Sequence, residues 1–543
     1  MDPLQELEER VGRRLAALDE NETIPRIWLK DFTVWRDDPA EITDRLGWLT
    51  VHEAMRGRVP ELEQFASSCA ADGLTHAVLA GMGGSSLAPE VLRETFGVSP
   101  GMLDLVVLDT THPDQILAVE RSLPMDRTLF VIASKSGTTT ETLSHFAYFW
   151  SEVVKEDKRN PGRHFAAITD PGTSLEKLAG EHKFRWVFGN PSDIGGRYSA
   201  LSYFGMVPGA IIGVDVKEML ERATEMAHSC EPAVSVDKNP GVWLGAVMGE
   251  LAGSGRDKLT LVLSPRISTF GYWVEQLLAE STGKEGKGIV PVEGEPLGKP
   301  DAYGPDRLFV HIRMDKDADN QAVRALEQAG HPVVTLTVRD KLDLGGEFLR
   351  WEIATAVAGS VLGIDAFDQP NVQESKDNTK KVLAKFKSSG RLPEAETVAA
   401  GEAGPRLREL LAGAKPPLYF ALMSYTERTP ASERTLAQVR ARVRDRRRLA
   451  TTAGYGPRFL HSTGQLHKGG PREGLFLQLV EDDERDLPIP GQPYSFSTLK
   501  QAQALGDFES LRSRKLPVLR VSLGAGGAAG WRSLATAFGS ALR

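Results

Sequence analysis

Residues 134–142 read SKSGTTTET and place six hydroxyl side chains within nine positions. Phe130 to Ser134 are apolar or small, as at the end of a buried strand, and Thr138 and Glu141 stand three apart. That is the spacing of a capping box, so a helix is expected to start here and run through Phe149 and Trp150. A helix N-terminus dressed with hydroxyls suits a phosphate dianion, favoured by open N–H groups and by the helix dipole. Lys135 is the one basic residue of the loop. Neutral donors then fit a small phosphorylated metabolite better than a polynucleotide held by charge. The plainer alternative is an ordinary strand–loop–helix corner, which needs only one Ser or Thr cap.

Three other groups could share a site with this loop. Gly81-Met82-Gly83-Gly84-Ser85-Ser86 lets a ligand approach the backbone, with Ser86 placed to cap a helix and Pro89 tolerated in its first turn. It is neither a dinucleotide fingerprint nor a P-loop; Gly283-Lys284, the nearest approach to the latter, is followed by Glu285. Two such loops at the carboxyl ends of strands form the crevice where open α/β sheets bind ligands. Arg197, in Gly195-Gly196-Arg197-Tyr198-Ser199, sits on a diglycine turn. Its guanidinium could stabilise an anion that develops during reaction, or make a surface salt bridge. Glu280 ends the apolar face of FGYWVEQLLAE, against Gly283 as C-cap. An acid there opposes the helix dipole. Either it is a simple helix-end residue, or burial lifts it from about 4.3 toward about 6–7, as suits a general base.

The elements that must position these groups are strands and helices in alternation. The runs HAVLAG, DLVVLD, TLFVIAS, FAAITD and FRWVFG alternate with helix-length segments from Thr75 onward. A second set, KLTLVLSP, GIVPVEG, RLFVHIR and PVVTLTV, starts near Lys258. Both carry the pattern of parallel sheets wrapped by helices. The expected division is a helical segment over 1–60, with Trp28, Trp35 and Trp48 as anchors and Pro25 and Pro39 as breaks, then α/β units over 61–230 and 231–370. The join falls near 226–240, where CEPAVSVDKNPG carries turn residues. A lysine-bearing helix and linker occupy 371–415, and a C-terminal α/β region, with strands near PLYFALMSY, GLFLQLV and PVLRVSL, occupies 416–543. Its basic helix LAQVRARVRDRRR is expected to present a solvated face or a subunit contact.

Bulk properties narrow the classes. With 543 residues the chain can hold two to four full cores. Its net charge of −8 provides no global basic field for nucleic acid or anionic membrane. Two cysteines, Cys69 and Cys230, make no disulfide framework and fit a reducing cytoplasm. The acidic start MDPLQELEER is no signal peptide, and no apolar run reaches the roughly 20 residues of a membrane span.

Five segments in order, GMGGSSLAP (81–89), SKSGTTTET (134–142), GGRYS (195–199), AESTGK (279–284) and FDQPNVQESK (367–376), resemble the motifs of phosphoglucose isomerases. The resemblance implies an α/β fold of two tandem sugar-isomerase (SIS) three-layer αβα sandwiches with parallel sheets, followed here by the C-terminal α/β region. It implies an aldose–ketose isomerase interconverting glucose 6-phosphate and fructose 6-phosphate through a cis-enediolate, with no metal or other cofactor. Carried over residue by residue, Gly84, Ser85, Ser134, Ser136, Thr139 and the Lys135 backbone would bind the sugar phosphate. Glu280 would be the base, Arg197 would steady the enediolate, and Lys376 would assist at the ring oxygen or O1. A cytoplasmic homodimer is implied as well. The expected partner is a small sugar phosphate, not nucleic acid or membrane.

Two departures stand out. The ring-opening histidine of classical members lies in a G-x-N-G-Q-H segment, whereas the corresponding stretch here, VEGEPLGKPDAYGPD (292–306), has none. Gly464-Gln465-Leu466-His467 follows later, so His467 is the expected substitute, with His461 as the second choice. The segment RFLHSTGQLHKGGP (458–471) resembles the tail of bifunctional transaldolase/phosphoglucose isomerase proteins, and the closest resemblance is to their isomerase half. A transaldolase barrel needs about 250 residues, more than follow Lys376, so no transaldolase activity is expected. Alternatives to the single isomerase are a dual phosphoglucose/phosphomannose enzyme and a non-catalytic phosphosugar-binding SIS protein.

Overall fold

The computed structural model describes residues 3–525 and 527–543. Five strands, β1 (His76–Ala80), β2 (Asp104–Leu108), β3 (Thr128–Ala133), β4 (Phe165–Thr169) and β5 (Trp186–Gly189), form a parallel sheet in the order β2-β1-β3-β4-β5. Because the chain moves to one side of β1 and then to the other, the switch point lies between β1 and β3. Their carboxyl ends carry the glycine loop and the SKSGTTTET loop, as the crevice rule requires. All six residues of β3 are buried, the continuous apolar pattern of a strand covered on both faces.

A second parallel sheet, ordered β7-β6-β8-β9, uses β6 (Lys258–Leu263), β7 (Val290–Val292), β8 (Arg307–Met314) and β9 (Val333–Val338). The helix Phe270–Thr282 follows β6 and delivers Glu280. Behind this sheet the helix Leu344–Leu362 packs on Pro240–Gly253. Close approach is possible because Gly245 and Gly249 face Val357 and Val361.

The third sheet, ordered β10-β14-β13-β11-β12, holds β10 (Val398–Ala399), β11 (Tyr419–Tyr425), β12 (Ala450–Tyr455), β13 (Gly474–Asp482) and β14 (Val518–Ala525), again all parallel. The edge strands β10 and β12 are not among the expected strands. β10 has only two residues, and β12 reads ATTAGY, too polar to stand out as an apolar run.

The N-terminal segment is helical over Pro3–Glu20, Thr23–Trp28 and Val51–Arg56. Its tryptophans do act as anchors. Trp48 is fully buried beside Tyr198, at 5.2 Å between ring centroids, and the Trp35 indole N–H donates to the Ala356 carbonyl at 2.8 Å. The Trp28 N–H reaches the Cys230 carbonyl at 2.9 Å. Pro25 is not a break. It lies in the first turn of Thr23–Trp28, where a missing N–H costs nothing.

The basic helix, Pro430–Arg447, also differs from expectation. Arg440 and Arg444 are buried and point back at the segment after β7. Arg440 donates to the carbonyls of Glu293 (2.5 Å) and Thr451 (2.7 Å), and Arg444 to that of Pro296. Two of the charges therefore join the second and third sheets rather than face water.

Candidate active site

The phosphate-loop residues meet where expected. Ser134 is buried and its hydroxyl lies 2.9 Å from that of Thr139; the Ser136 and Thr138 hydroxyls are also 2.9 Å apart. Gly137 turns the loop at φ 67°, a conformation that favours glycine, so that the loop packs on Thr173. The helix behind it spans Thr140–Glu156 with Thr139 as N-cap, one residue later than the expected Thr138. No capping box forms, because the Glu141 side chain turns to distant partners. The Lys135 ammonium is tied to Asp170 and, at 2.9 Å, to the Ser192 carbonyl. Its side chain thus braces the loop from behind.

The glycine loop closes one wall. A Cβ at Gly84 would land on the Gly196 carbonyl, so the two backbones touch and only glycine fits. Ser85 is buried between them, while the Ser86 hydroxyl bonds the Gly83 carbonyl and Asp109 instead of capping the helix Leu87–Phe96. The turn at Gly196 aims Arg197 into the interior, 1% exposed. Its Nε donates to Ser281 Oγ at 2.7 Å, Nη1 to Gln369 Oε1 at 2.8 Å, and Nη2 to the carbonyls of Ala366 (2.8 Å) and Asp368 (3.0 Å). These four bonds use most of its five N–H donors and fix the guanidinium plane. The Nη1 edge then stands 3.8 Å from Glu280 Oε2. Lys284 holds the same Asp368 segment, donating to its carbonyl at 2.6 Å, and burial pushes this lysine down to about 8.

Glu280 lies in the last turn of Phe270–Thr282, 8% exposed. Burial raises its carboxyl above the usual range, with the charges of Arg197 and His461 partly opposing that. Gln276, one turn earlier, donates to Glu280 Oε2 at 3.2 Å and to the His461 carbonyl at 2.7 Å. One amide thus ties the carboxylate to the third-sheet region.

The two histidines separate clearly. His461 Nε2 lies 3.0 Å from Glu141 Oε1, and its backbone abuts Gly83. Burial alone would raise Glu141, but the His461 charge and hydrogen bond outweigh it and hold the carboxyl down to about 2. Gln503 Nε2 completes the arrangement, donating to Glu141 Oε1 at 2.7 Å. His467, the first choice from sequence, is packed between Phe459 and Phe476, at centroid distances of 6.0 and 5.2 Å. Both of its ring nitrogens are buried without a hydrogen-bond partner, and burial pushes its pKa down to about 3. It is a core residue. The Gln465 beside it does reach the site region, bonding the Gly283 carbonyl and Asn371.

Lys376 is exposed near the start of Val372–Ser389, and its charge is felt by both Glu141 and Glu280. Sequence reasoning misses Glu141, Gln276, Gln369 and Gln503. Glu141 stands within the SKSGTTTET motif, where its spacing reads as part of a cap; Gln369 stands within FDQPNVQESK without an assigned role, and Gln276 and Gln503 lie in no motif.

Comparisons with known proteins bear on the family and the fold. The phosphoglucose isomerase family model matches residues 50–290. A probable glucose-6-phosphate isomerase of Natronomonas pharaonis is 30% identical over 363 residues, covering 59% of this chain and 80% of that protein. Another, of Methanococcus maripaludis, is 27% identical, covering 62% and 84%. Among solved structures, a hypothetical protein of Thermus thermophilus superposes with a TM-score of 0.62 at 24% identity, covering 70% of this chain and 98% of that one. A glucose-6-phosphate isomerase of Chlamydia trachomatis gives 0.53 at 19% identity, covering 67% and 78%. These two likenesses show the α/β fold with parallel sheets; the sequence relatives show the lineage. The chain belongs to the phosphoglucose isomerase family.

Proposed function

We propose that this chain interconverts glucose 6-phosphate and fructose 6-phosphate, with Glu280 as the base. The observation that carries the reading is the buried Glu280 carboxyl facing the fixed Arg197 guanidinium at 3.8 Å. Gly84, Ser85, Ser134, Ser136, Thr139 and the main chain of Lys135 hold the 6-phosphate. Glu280 takes the proton from C2 of the open-chain aldose and returns it to C1. The electron pair released at C2 forms the C1=C2 double bond and the carbonyl pair moves to O1, giving an enediolate whose negative oxygen lies toward Arg197. The O2 hydroxyl proton passes to O1, and C2=O forms as C1 takes up the returned proton.

His461, rather than His467, moves the proton between O1 and the ring oxygen when the sugar opens. Glu141 supports that role by orienting the imidazole, as a carboxylate does for a working histidine. Lys376 closes over the O1 side. The units run over 61–230 and 231–370, with 371–415 as the lysine-bearing connection and 416–543 as the part that supplies His461. The tail around His461 is of the kind seen in bifunctional transaldolase/isomerase proteins. Two buried free cysteines suit a cytoplasmic setting, and the active form is a homodimer, which light scattering would test.

A coupled assay following glucose 6-phosphate to fructose 6-phosphate tests the reading. Glu280→Gln should lower kcat by about 10²–10⁴-fold, the usual worth of a positioned base. Unimpaired turnover in that variant would refute the assignment.

A further inference from the structure

A cleft of about 290 Å³ opens on the other side of the His461 loop and contains none of the residues proposed above for catalysis or phosphate binding. It lies beyond the carboxyl ends of β7, β11 and β12, the edge at which parallel sheets place ligands. Arg428, Arg440 and Arg458 enter it from the third-sheet region; Glu275 and Glu293 enter from the second. Tyr272 forms the floor, with the Arg458 and Arg428 guanidiniums 5.2 and 5.8 Å from its ring centroid.

Glu433, which also lines the cleft, pairs with Arg428 at 2.7 Å, and Asp109 pairs with Arg458 at 3.3 Å from behind. Among the described residues, no ion pair joins Glu275 or Glu293 to any of the three guanidiniums. Arg458 Nη2 is buried with no hydrogen-bond partner. Leaving such a charged donor unmade is costly, which points to a missing acceptor. Burial, then the Glu293 charge, pushes Glu275 up to about 8, and burial raises Glu293 too. At neutral pH the arginine charge is therefore not cancelled by Glu275.

We infer that this cleft is a second, non-catalytic site for a small hydroxylated anion, a phosphate monoester or carboxylate. Its anionic group meets Arg428 and Arg458, and its hydroxyls meet Glu275 and Glu293. Guanidiniums match the oxygens of either anion in paired geometry. Carboxyl oxygens opposite them are acceptors for hydroxyl donors. A bare inorganic anion would satisfy only the arginine wall.

Calorimetric titration with sn-glycerol 3-phosphate, glycerate and orthophosphate tests the site. The full chain and a Ser136→Ala/Thr139→Ala form, weakened at the catalytic loop, are compared. In the latter, one glycerol 3-phosphate or glycerate per chain should still bind, and the better of the two identifies the anion. Arg428→Gln should weaken binding of the hydroxylated probe by about tenfold or more, as for a lost charge-assisted contact. Glu275→Leu, which removes the acceptor, should weaken that probe severalfold while leaving orthophosphate unchanged. The inference is overturned if neither hydroxylated probe binds, or if either folded variant binds it as tightly as its parent. Should Arg428→Gln lose cooperative melting, the Glu275→Leu comparison alone decides.

Discussion

At the residue scale, the contrast between His461 and His467 turns on what each ring touches. His461 has a carboxylate at 3.0 Å, whereas His467 has two phenyl rings and no polar partner. His461→Ala should abolish most turnover of ring-closed glucose 6-phosphate, by about 10²-fold or more, and should also lower the denaturation midpoint, because buried Glu141 loses its partner. His467→Ala should cost stability alone. It leaves a cavity in an aromatic cluster, costing about 2–4 kcal/mol, while kcat at low temperature stays within a few-fold. Assays on pre-opened and closed substrate, beside denaturant melts, separate the two outcomes. Glu280 and Arg197 are legible in the sequence because their motifs state type and spacing together. The histidine choice is not, since six positions separate the two and only the packing of Phe459 and Phe476 distinguishes them. Glu141 misleads for a related reason: its partners, His461 and Gln503, lie 320 and 362 residues away. A local capping pattern cannot reveal competition from that distance.

Elements meet at this site through backbone contact and through buried arginine. Gly84 against Gly196 brings the first unit's glycine loop onto the turn that aims Arg197. Gly84→Ala should push that turn away, costing about 1–3 kcal/mol of stability and lowering kcat/KM more than the stability loss explains. Thermal melting and kinetics below the melting range would read both. Arg440 performs a comparable service between the second and third sheets. Arg440→Ala leaves the carbonyls of Glu293 and Thr451 without their donor, a loss of about 1–3 kcal/mol for each group that stays dry. Urea denaturation should show it as a lower midpoint. The central strands of all three sheets can be read from apolar runs, because burial on both faces demands them. Edge strands β10 and β12 are exempt from that demand, which is why their short or polar sequences give no signal.

For the whole molecule, pH pulls stability two ways: carboxyls raised by burial, such as Glu275, favour the fold as acid increases, and buried neutral histidines oppose it. His52, His145 and His467 are buried neutral, pushed by burial from an ordinary 6.5 down to about 4, 4 and 3. Once unfolded, each takes up a proton near pH 6.5. Between that pH and the folded values these side chains bind more protons in the unfolded state, so their contribution to stability falls as pH drops through this window. Glu141 adds to the loss lower down, since its carboxylate is stabilised in the fold and protonates only near about 2. From about pH 7.5 down to about 4.5 the denaturant midpoint should change less favourably in the parent than in a His467→Phe form, which lacks one of these histidines. Parallel pH profiles for the two would contradict the buried neutral histidine. The three-sheet plan is legible from alternating runs, but the way the third sheet leans on the first is not. It depends on side chains such as Gln503 and His461 that no periodicity marks.

The bond between His461 and Glu141 also sets an order of events in the cell. A ribosome makes the phosphate loop, Arg197 and Glu280 long before residue 461 emerges, and domains generally fold as they are synthesised, N-terminal first. Two finished sheets would then wait with an open pocket, able to hold a sugar phosphate by its tail yet unable to open its ring. With the role proposed for His461, activity would begin only when the last third of the chain has docked. Fragments from interrupted translation should therefore occupy substrate without consuming it.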